Sequence, residues 1–392
     1  MMTDIVLVEG VRTAIGKYGG SFKKTQVYEL ATYATKGLLQ KTGIDPKEVD
    51  GAIFGCCGQF GKNQWTARIA ALESGLSIKS SALMVNRQCA SGLQAIMTSA
   101  MTIDHGDAEI LIAGGCESMS SYPYALNGAR WGYRMNNAVA EDLMVSTLTC
   151  PFNDYHYGIT AENIVEKYGI TRQAQDAYAL RSQQRALEAI REGKFKDEII
   201  PVEVRDGKKT RVFDTDEGPR ETSMEILAAL PAAFKKDGTV TAGNSSSIND
   251  AAAATLIMRG TRARELGLKP KLRVVDYAVA GVPPEIMGIG PYASTVRLLE
   301  KTGLSMGDIG LVELNEAFAA QTIACIRELC MDEEKVNVNG SGISLGHPTG
   351  ATGCILTVKL ANEMRRRNVC YGLVTMCIGG GQGMSGLFEL LD

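Results

Sequence analysis

Three side chains far apart in this sequence have the types needed for thiol chemistry: Cys89, His347 and Cys377. Cys89 stands in VNRQCASGLQAIMTSAMTI, where an apolar strand gives way to a helix whose buried face is marked by Ile96, Ala100 and Ile103. Unpaired N–H groups and the dipole at a helix start favour a thiolate over a thiol. Ala90, Ser91 and Gly92 are small enough to let a substrate approach. Most of the ten cysteines are expected to be inert, because free Cys is a common small core residue. The strand-to-helix position sets Cys89 apart from the rest. His347 lies in NGSGISLGHPTGATG, a stretch with almost no bulky side chain, and Pro348 fixes the backbone after it. That is how a positioned general base would be mounted. Cys377 lies in VTMCIGGGQG at the end of an apolar strand, where the following glycines leave backbone N–H groups free to meet a ligand oxygen. Asn315, Glu316 and Phe318 sit at another strand end, in LVELNEAFAA, and an Asn there can orient the histidine or hold a water.

Other chemistries find less support. The ten cysteines show neither C-x-x-C pairing nor zinc spacing, and so many unpaired thiols suit a reducing compartment. A formal net charge of -3 gives no reason to expect nucleic acid or an anionic membrane as partner. No apolar run approaches the roughly 18 residues needed to span a bilayer. Asp4 and Glu9 interrupt the apolar N-terminus, which argues against a secretory or transit signal, so a cytoplasmic location is expected. GVRTAIGKY at 10–18 is not a P-loop: five residues separate Gly10 from Gly16, and Tyr18 stands where Ser or Thr should bind magnesium.

The elements that must carry these residues are repeated. GLLQKTGI at 37–44 matches RLLEKTGL at 297–304. The same offset of 260 places Val49 on Ile309, Ala52 on Val312 and Phe54 on Leu314. Val85-Asn86 and Val338-Asn339 each precede a small-residue loop, a helix and an apolar strand. Several matches in one order indicate duplication. Strands near 4–9 and 272–276 open the two copies. Short β-branched strands alternating with helices predict an α/β architecture of two similar βαβ-rich halves. The expected segments are 1–119, an insertion at 120–249, and 250–392. The repeat places the Cys89 and His347 loops face to face. The insertion is turn-rich and holds one helix with Thr171 as N-cap and an end near Gly193. Ala177, Leu180, Leu187 and Ile190 are its expected apolar face.

Together these motifs resemble the thiolase family. NRQCASGLQAI resembles its nucleophile loop, NEAFA at 315–319 its Asn motif, GHPTGATG at 346–353 its His loop and CIGGGQG at 377–383 its second-cysteine loop. VRTAIGK at 11–17, AGGCESMS at 113–120, TAEN at 160–163 and VTAGNSSSIND at 240–250 extend the likeness along the whole chain. The resemblance implies a layered α-β-α-β-α fold with an inserted loop domain. It implies an acyltransferase that reversibly cleaves 3-ketoacyl-CoA or condenses two acetyl-CoA molecules, with coenzyme A as substrate and no permanently bound cofactor. In that scheme Cys89 carries the acyl group, His347 takes the thiol proton and Cys377 moves the α-proton. One oxyanion site is assigned to the N–H groups of Cys89 and Gly379. The other is assigned to His347 and a water held by Asn315. His156, Arg220 and Ser246 are implied coenzyme A contacts, and Tyr157, Met287 and Phe318 line the acyl pocket. His156-Tyr157-Gly158 stands where small-acyl members typically have His-Met-Gly, so Tyr157 bears on chain length. ARWGYRM at 129–135 resembles the loop through which these enzymes form homotetramers.

Three rival readings share these motifs in part: a longer-chain 3-ketoacyl-CoA thiolase, a decarboxylating ketosynthase and a non-catalytic scaffold of the same fold. A ketosynthase would place a second His where Cys377 stands. A scaffold would be expected to lose one of Cys89, His347 and Cys377.

Overall fold

A computed structural model describes residues 4–207 and 209–391 of the chain. The first copy supplies strand β1 (Ile5–Thr13), helix α1 (Val27–Thr42), strand β2 (Gly51–Gly55), helix α2 (Thr66–Glu73), strand β3 (Ser81–Val85), helix α3 (Ser91–His105) and strand β4 (Ile110–Ser118). The insertion carries helices α4 (Tyr157–Tyr168) and α5 (Arg172–Arg191). Strands β5 (Asn249–Arg259) and β6 (Leu272–Gly281) follow, then helix α6 (Gly290–Thr302), strand β7 (Ile309–Leu314), helix α7 (Ala319–Glu328), helix α8 (Thr349–Arg367) and the strands β8 (Tyr371–Ile378) and β9 (Gln382–Leu390).

The duplication is written in the strand order, β7-β8-β9-β6-β1-β5-β4-β2-β3. Each half repeats one pattern outward from β6 and β1, which meet antiparallel at Val6–Arg273 and Leu7–Leu272. β5 lies antiparallel between β1 and β4, as β9 lies between β6 and β8. The repeated KTG has a simple cause. Gly43 and Gly303 end α1 and α6 in left-handed conformations with φ of 69° and 71°. Each caps a Leu carbonyl one turn back, and a lysine in each last turn complements the helix dipole.

This pairing corrects the expected boundary at 250. β5 follows the insertion in sequence, yet it completes the first copy. It is the counterpart of β9, and the insertion therefore interrupts the first copy between β4 and β5.

Five layers result. α1 and α2 cover one outer face through Leu30, Ala34, Leu38 and Ala70, which meet Val6, Val11 and Phe54. α6 and α7 cover the other through Leu298, Ala320 and Ala324 against Val312 and Leu314. Between the two halves of the sheet α3 packs on α8, and Leu93, Ile96, Ala351 and Ile355 share the central core. The two inner helices touch backbone to backbone. A Cβ at Gly92 would lie 2.8 Å from the Cys354 nitrogen, and one at Gly353 would lie 2.4 Å from the Leu93 nitrogen. Because α8 has protein on all sides, even Lys359 is buried. Its ammonium meets Glu313 at 2.8 Å and the Gly340 carbonyl at 2.6 Å, as a buried charge requires.

Helix α5 begins as expected, with the Thr171 hydroxyl accepting from the Ala174 N–H. Its buried face is the expected one only in part: Leu180 and Ile190 pack half-buried against the cores. Ala177 is exposed, and the buried stripe runs through Gln175, Tyr178, Ser182, Gln183 and Ala186. The reason is the surface beneath it. Tyr178 and Ser182 donate to the buried Glu316 carboxylate at 2.9 and 2.7 Å, so this helix is seated on a polar network. Among the described residues no helix is long and apolar enough to cross a membrane.

Candidate active site

The N-terminal ends of α3 and α8 converge at the pseudo-twofold axis, and the sequence places Cys89 just before one and His347 just before the other. The β8–β9 turn brings Cys377 and Gly379 to the same place. A cavity of about 440 Å³ opens there. Cys89, His156, Tyr157, Ser246, Met287, Phe318, His347, Cys377 and Gly379 all line it. Asn315 stands behind His347, with its Nδ2 3.3 Å from Nε2. Arg220 is the exception: it is exposed and does not line the cavity, and its backbone N–H donates to Gln183.

Gln88 enters the Cys89 turn with φ of 47°, a left-handed conformation unusual outside glycine. The expectation of a thiolate at the helix start needs correction. The N–H groups of Ala90 and Ser91 are spent on the carbonyls of Arg87 and Gln88. Burial dominates and pushes the Cys89 thiol up to about 11. The N–H groups of Gly379 and of Cys89 itself act in the opposite direction, and the charge of Glu117 adds a smaller upward push. The resting sulfur is therefore protonated and depends on a base.

His347, on the same cavity, has the character of such a base. Burial lowers its value to about 4, so the imidazole is neutral across the physiological range. Its Nδ1 lies 2.7 Å from the Thr352 hydroxyl, which itself donates to the Pro348 carbonyl at 2.9 Å. With that hydroxyl proton committed, Thr352 accepts from Nδ1–H, and the lone pair falls on Nε2. Thr352 thus sets the tautomer that leaves Nε2 basic. Cys377 is buried in an apolar cluster with Met287, Ala317 and Phe318. Burial raises its thiol well above the ordinary range, and proximity to Cys89 raises it further. Two sulfurs that oppose each other's ionisation suit successive proton transfers.

Sequence reasoning missed Glu117, which lies within the quoted AGGCESMS stretch. It is fully buried at the end of β4. Its carboxylate accepts from the N–H groups of Cys57, Gly58 and Gly350 at 3.0, 3.0 and 2.8 Å. The hydroxyls of Thr349 and Tyr122 also donate to it, at 2.9 and 3.0 Å. It thereby ties the loop that carries His347 to the first copy. An acidic residue closing an otherwise apolar strand was the available signal. Phe234 was also missed. It stacks on His156 with ring centroids 4.7 Å apart and walls the cavity, and nothing in its local sequence marked it.

Two copies of one α/β unit, with two thiols and a neutral imidazole gathered at their junction, define the class: an enzyme that handles acyl groups through sulfur. The comparisons agree. Residues 5–261 match the family description "Thiolase, N-terminal domain" and residues 268–390 match "Thiolase, C-terminal domain". An acetyl-CoA acetyltransferase of Pseudomonas aeruginosa is 50% identical over 387 residues, covering 98% of each chain. The crystal structure of the Bacillus anthracis acetyl-CoA acetyltransferase superposes with a TM-score of 0.98 at 46% identity, covering 100% of this chain and 99% of that one. Human mitochondrial 3-ketoacyl-CoA thiolase in complex with CoA gives 0.95 at 39% identity, covering 99% and 98%. The chain belongs to the thiolase family. It is an acyltransferase, and its reaction is the reversible thiolase one, in which a carbon–carbon bond is made or broken.

Proposed function

We propose that this enzyme works on acetyl-CoA and short 3-ketoacyl-CoA thioesters through an acyl group carried on Cys89. The observation that carries the reading is that Cys89, His347 and Cys377 share one cavity with Gly379. In cleavage, Cys89 sulfur bonds to the 3-keto carbon while His347 Nε2 takes the thiol proton. The C2–C3 bond then breaks, and Cys377, protonated at rest, gives its proton to the departing carbanion. Coenzyme A attacks the thioester, its proton passes to Cys377, and the Cys89 sulfur leaves with the proton from His347. Charge on the tetrahedral oxygen of the carbon bound to Cys89 is met by the N–H groups of Cys89 and Gly379, and charge on the enolate oxygen by His347 and a water held by Asn315. Condensation is the same path reversed.

Ser246, His156 and the exposed Arg220 are assigned to coenzyme A, with Arg220 at its outer, adenine end. Met287, Phe318 and Tyr157 are assigned to the acyl pocket. The segment 119–248 acts as a binding domain inserted into the first catalytic half. Trp131, in ARWGYRM, is 88% exposed, which supports assembly through this loop into a homotetramer. A cytoplasmic role in fatty acid metabolism completes the reading.

Mass spectrometry after mixing with acetyl-CoA tests it. Cys89→Ala is expected to show no acetyl adduct and no turnover. Cys377→Ala is expected to keep the adduct on Cys89 while losing condensation. Full condensation by Cys377→Ala would remove its proposed role.

A further inference from the structure

One side of the cavity wall is apolar, while Thr147, Ser245, Ser246, Ser247 and Thr349 stand elsewhere on it. Met287, Phe318, Ala317, Cys377 and the ring of Tyr157 form a single hydrophobic cluster, and the Tyr157 hydroxyl projects from it. This oxygen lies so close to the Cys89-facing turn that a Cβ on Gly379 would approach it to 2.5 Å. Charge on Cys89 also disfavours its ionisation, after the larger effect of burial, so phenol and sulfur share one space. The rest of the tyrosine is fixed. Its N–H donates to the Leu148 carbonyl at 3.0 Å and its carbonyl accepts from Thr160 at 2.6 Å. Its neighbour His156 caps α4 by accepting from the Gly158 N–H at 3.0 Å. Yet no described residue partners the Tyr157 hydroxyl.

A phenylalanine would fill this wall without a donor, so the hydroxyl is left to bond whatever occupies the cavity. We propose that Tyr157 is a specificity-determining residue: its hydroxyl donates a hydrogen bond to a neutral oxygen carried by the acyl group on Cys89. Among acyl groups longer than acetyl, those bearing a hydroxyl or keto oxygen are therefore taken in preference to plain alkyl groups of the same length. A carboxylate is not the intended partner, because among the described residues no lysine or arginine lines the cavity. This inference rests on the acyl-Cys89 reading above.

The test is kcat/KM for acyl-enzyme formation, followed as coenzyme A release, with butyryl-CoA, 3-hydroxybutyryl-CoA and succinyl-CoA. The wild-type enzyme is expected to favour 3-hydroxybutyryl-CoA over butyryl-CoA by about tenfold, with succinyl-CoA slowest. Tyr157→Phe is expected to bring the hydroxybutyryl-to-butyryl ratio close to one. A wild-type ratio of one or below overturns the proposal without any variant. An unchanged ratio in Tyr157→Phe, whether or not both rates fall, overturns it too, as does preferred use of succinyl-CoA. Failure of acetyl-CoA to label Cys89 would instead strike the acyl-enzyme reading itself. Labelling with flat ratios would strike only this inference.

Discussion

The two copies differ most at one equivalent point. Between β8 and β9 the second copy turns in a few residues, with Gly380 and Gly381 both at φ of 87°. Between β4 and β5 the first copy opens into residues 119–248. The tight turn does electrostatic work: it sets the Gly379 N–H against the Cys89 sulfur. The long insertion supplies His156, Tyr157, Phe234 and Ser246 to the cavity. One duplicated position thus became a tight turn in one copy and a cavity wall in the other. The loops before α3 and α8 diverged in the same way, into a thiol and an imidazole, because symmetry already faced them toward each other.

Substitutions can break or sharpen this contrast. The largest effect is expected where the second copy supplies its base. His347→Ala should slow Cys89 acylation by about 10²–10⁴-fold, as loss of a general base does. A loss below about tenfold, read by stopped-flow acylation, would mean that Cys89 needs no partner from the other copy.

Next is the resting state of the sulfur. The thiol stays protonated until about pH 11 and His347 stays neutral above about pH 4, so no thiolate–imidazolium pair forms between them. Alkylation of Cys89 by iodoacetamide should therefore climb about tenfold per pH unit from neutrality upward, following the thiolate fraction. A rate already level at pH 6–7 would show an ion pair at rest and contradict this assignment.

The smallest effect concerns the clasp between copies. Glu117→Gln turns one acceptor oxygen into an NH₂ group facing donors. It should cost about 1–3 kcal/mol in urea unfolding, the price of unsatisfied buried partners. A change below about 0.5 kcal/mol would mean that the His347 loop is held by packing alone.

Much of this was legible beforehand, for physical reasons. KTG reveals a helix end because lysine and left-handed glycine each have a local job there. The Cys89 and His347 loops are legible because close helix contact demands small residues, and those leave a visible mark. What sequence hid was non-local. β5 reads as the start of the second copy because its partners β1 and β4 lie far away in the chain, across the insertion. The buried stripe of α5 is polar because Glu316 lies under it, a fact no helical periodicity encodes. The proton on Cys89 was misjudged because burial outweighs the local dipole, and burial is set by the whole cavity. The idle hydroxyl of Tyr157 shows only once its neighbours are in place.

Placing β5 after the insertion also orders events during synthesis. Until residue 259 has left the ribosome, the strands that will flank it, β1 and β4, present bare backbone edges to anything nearby. The half translated first thus stays open until the far side of its insertion is made, and a nascent chain arrested anywhere in 119–248 would be the species most prone to clump.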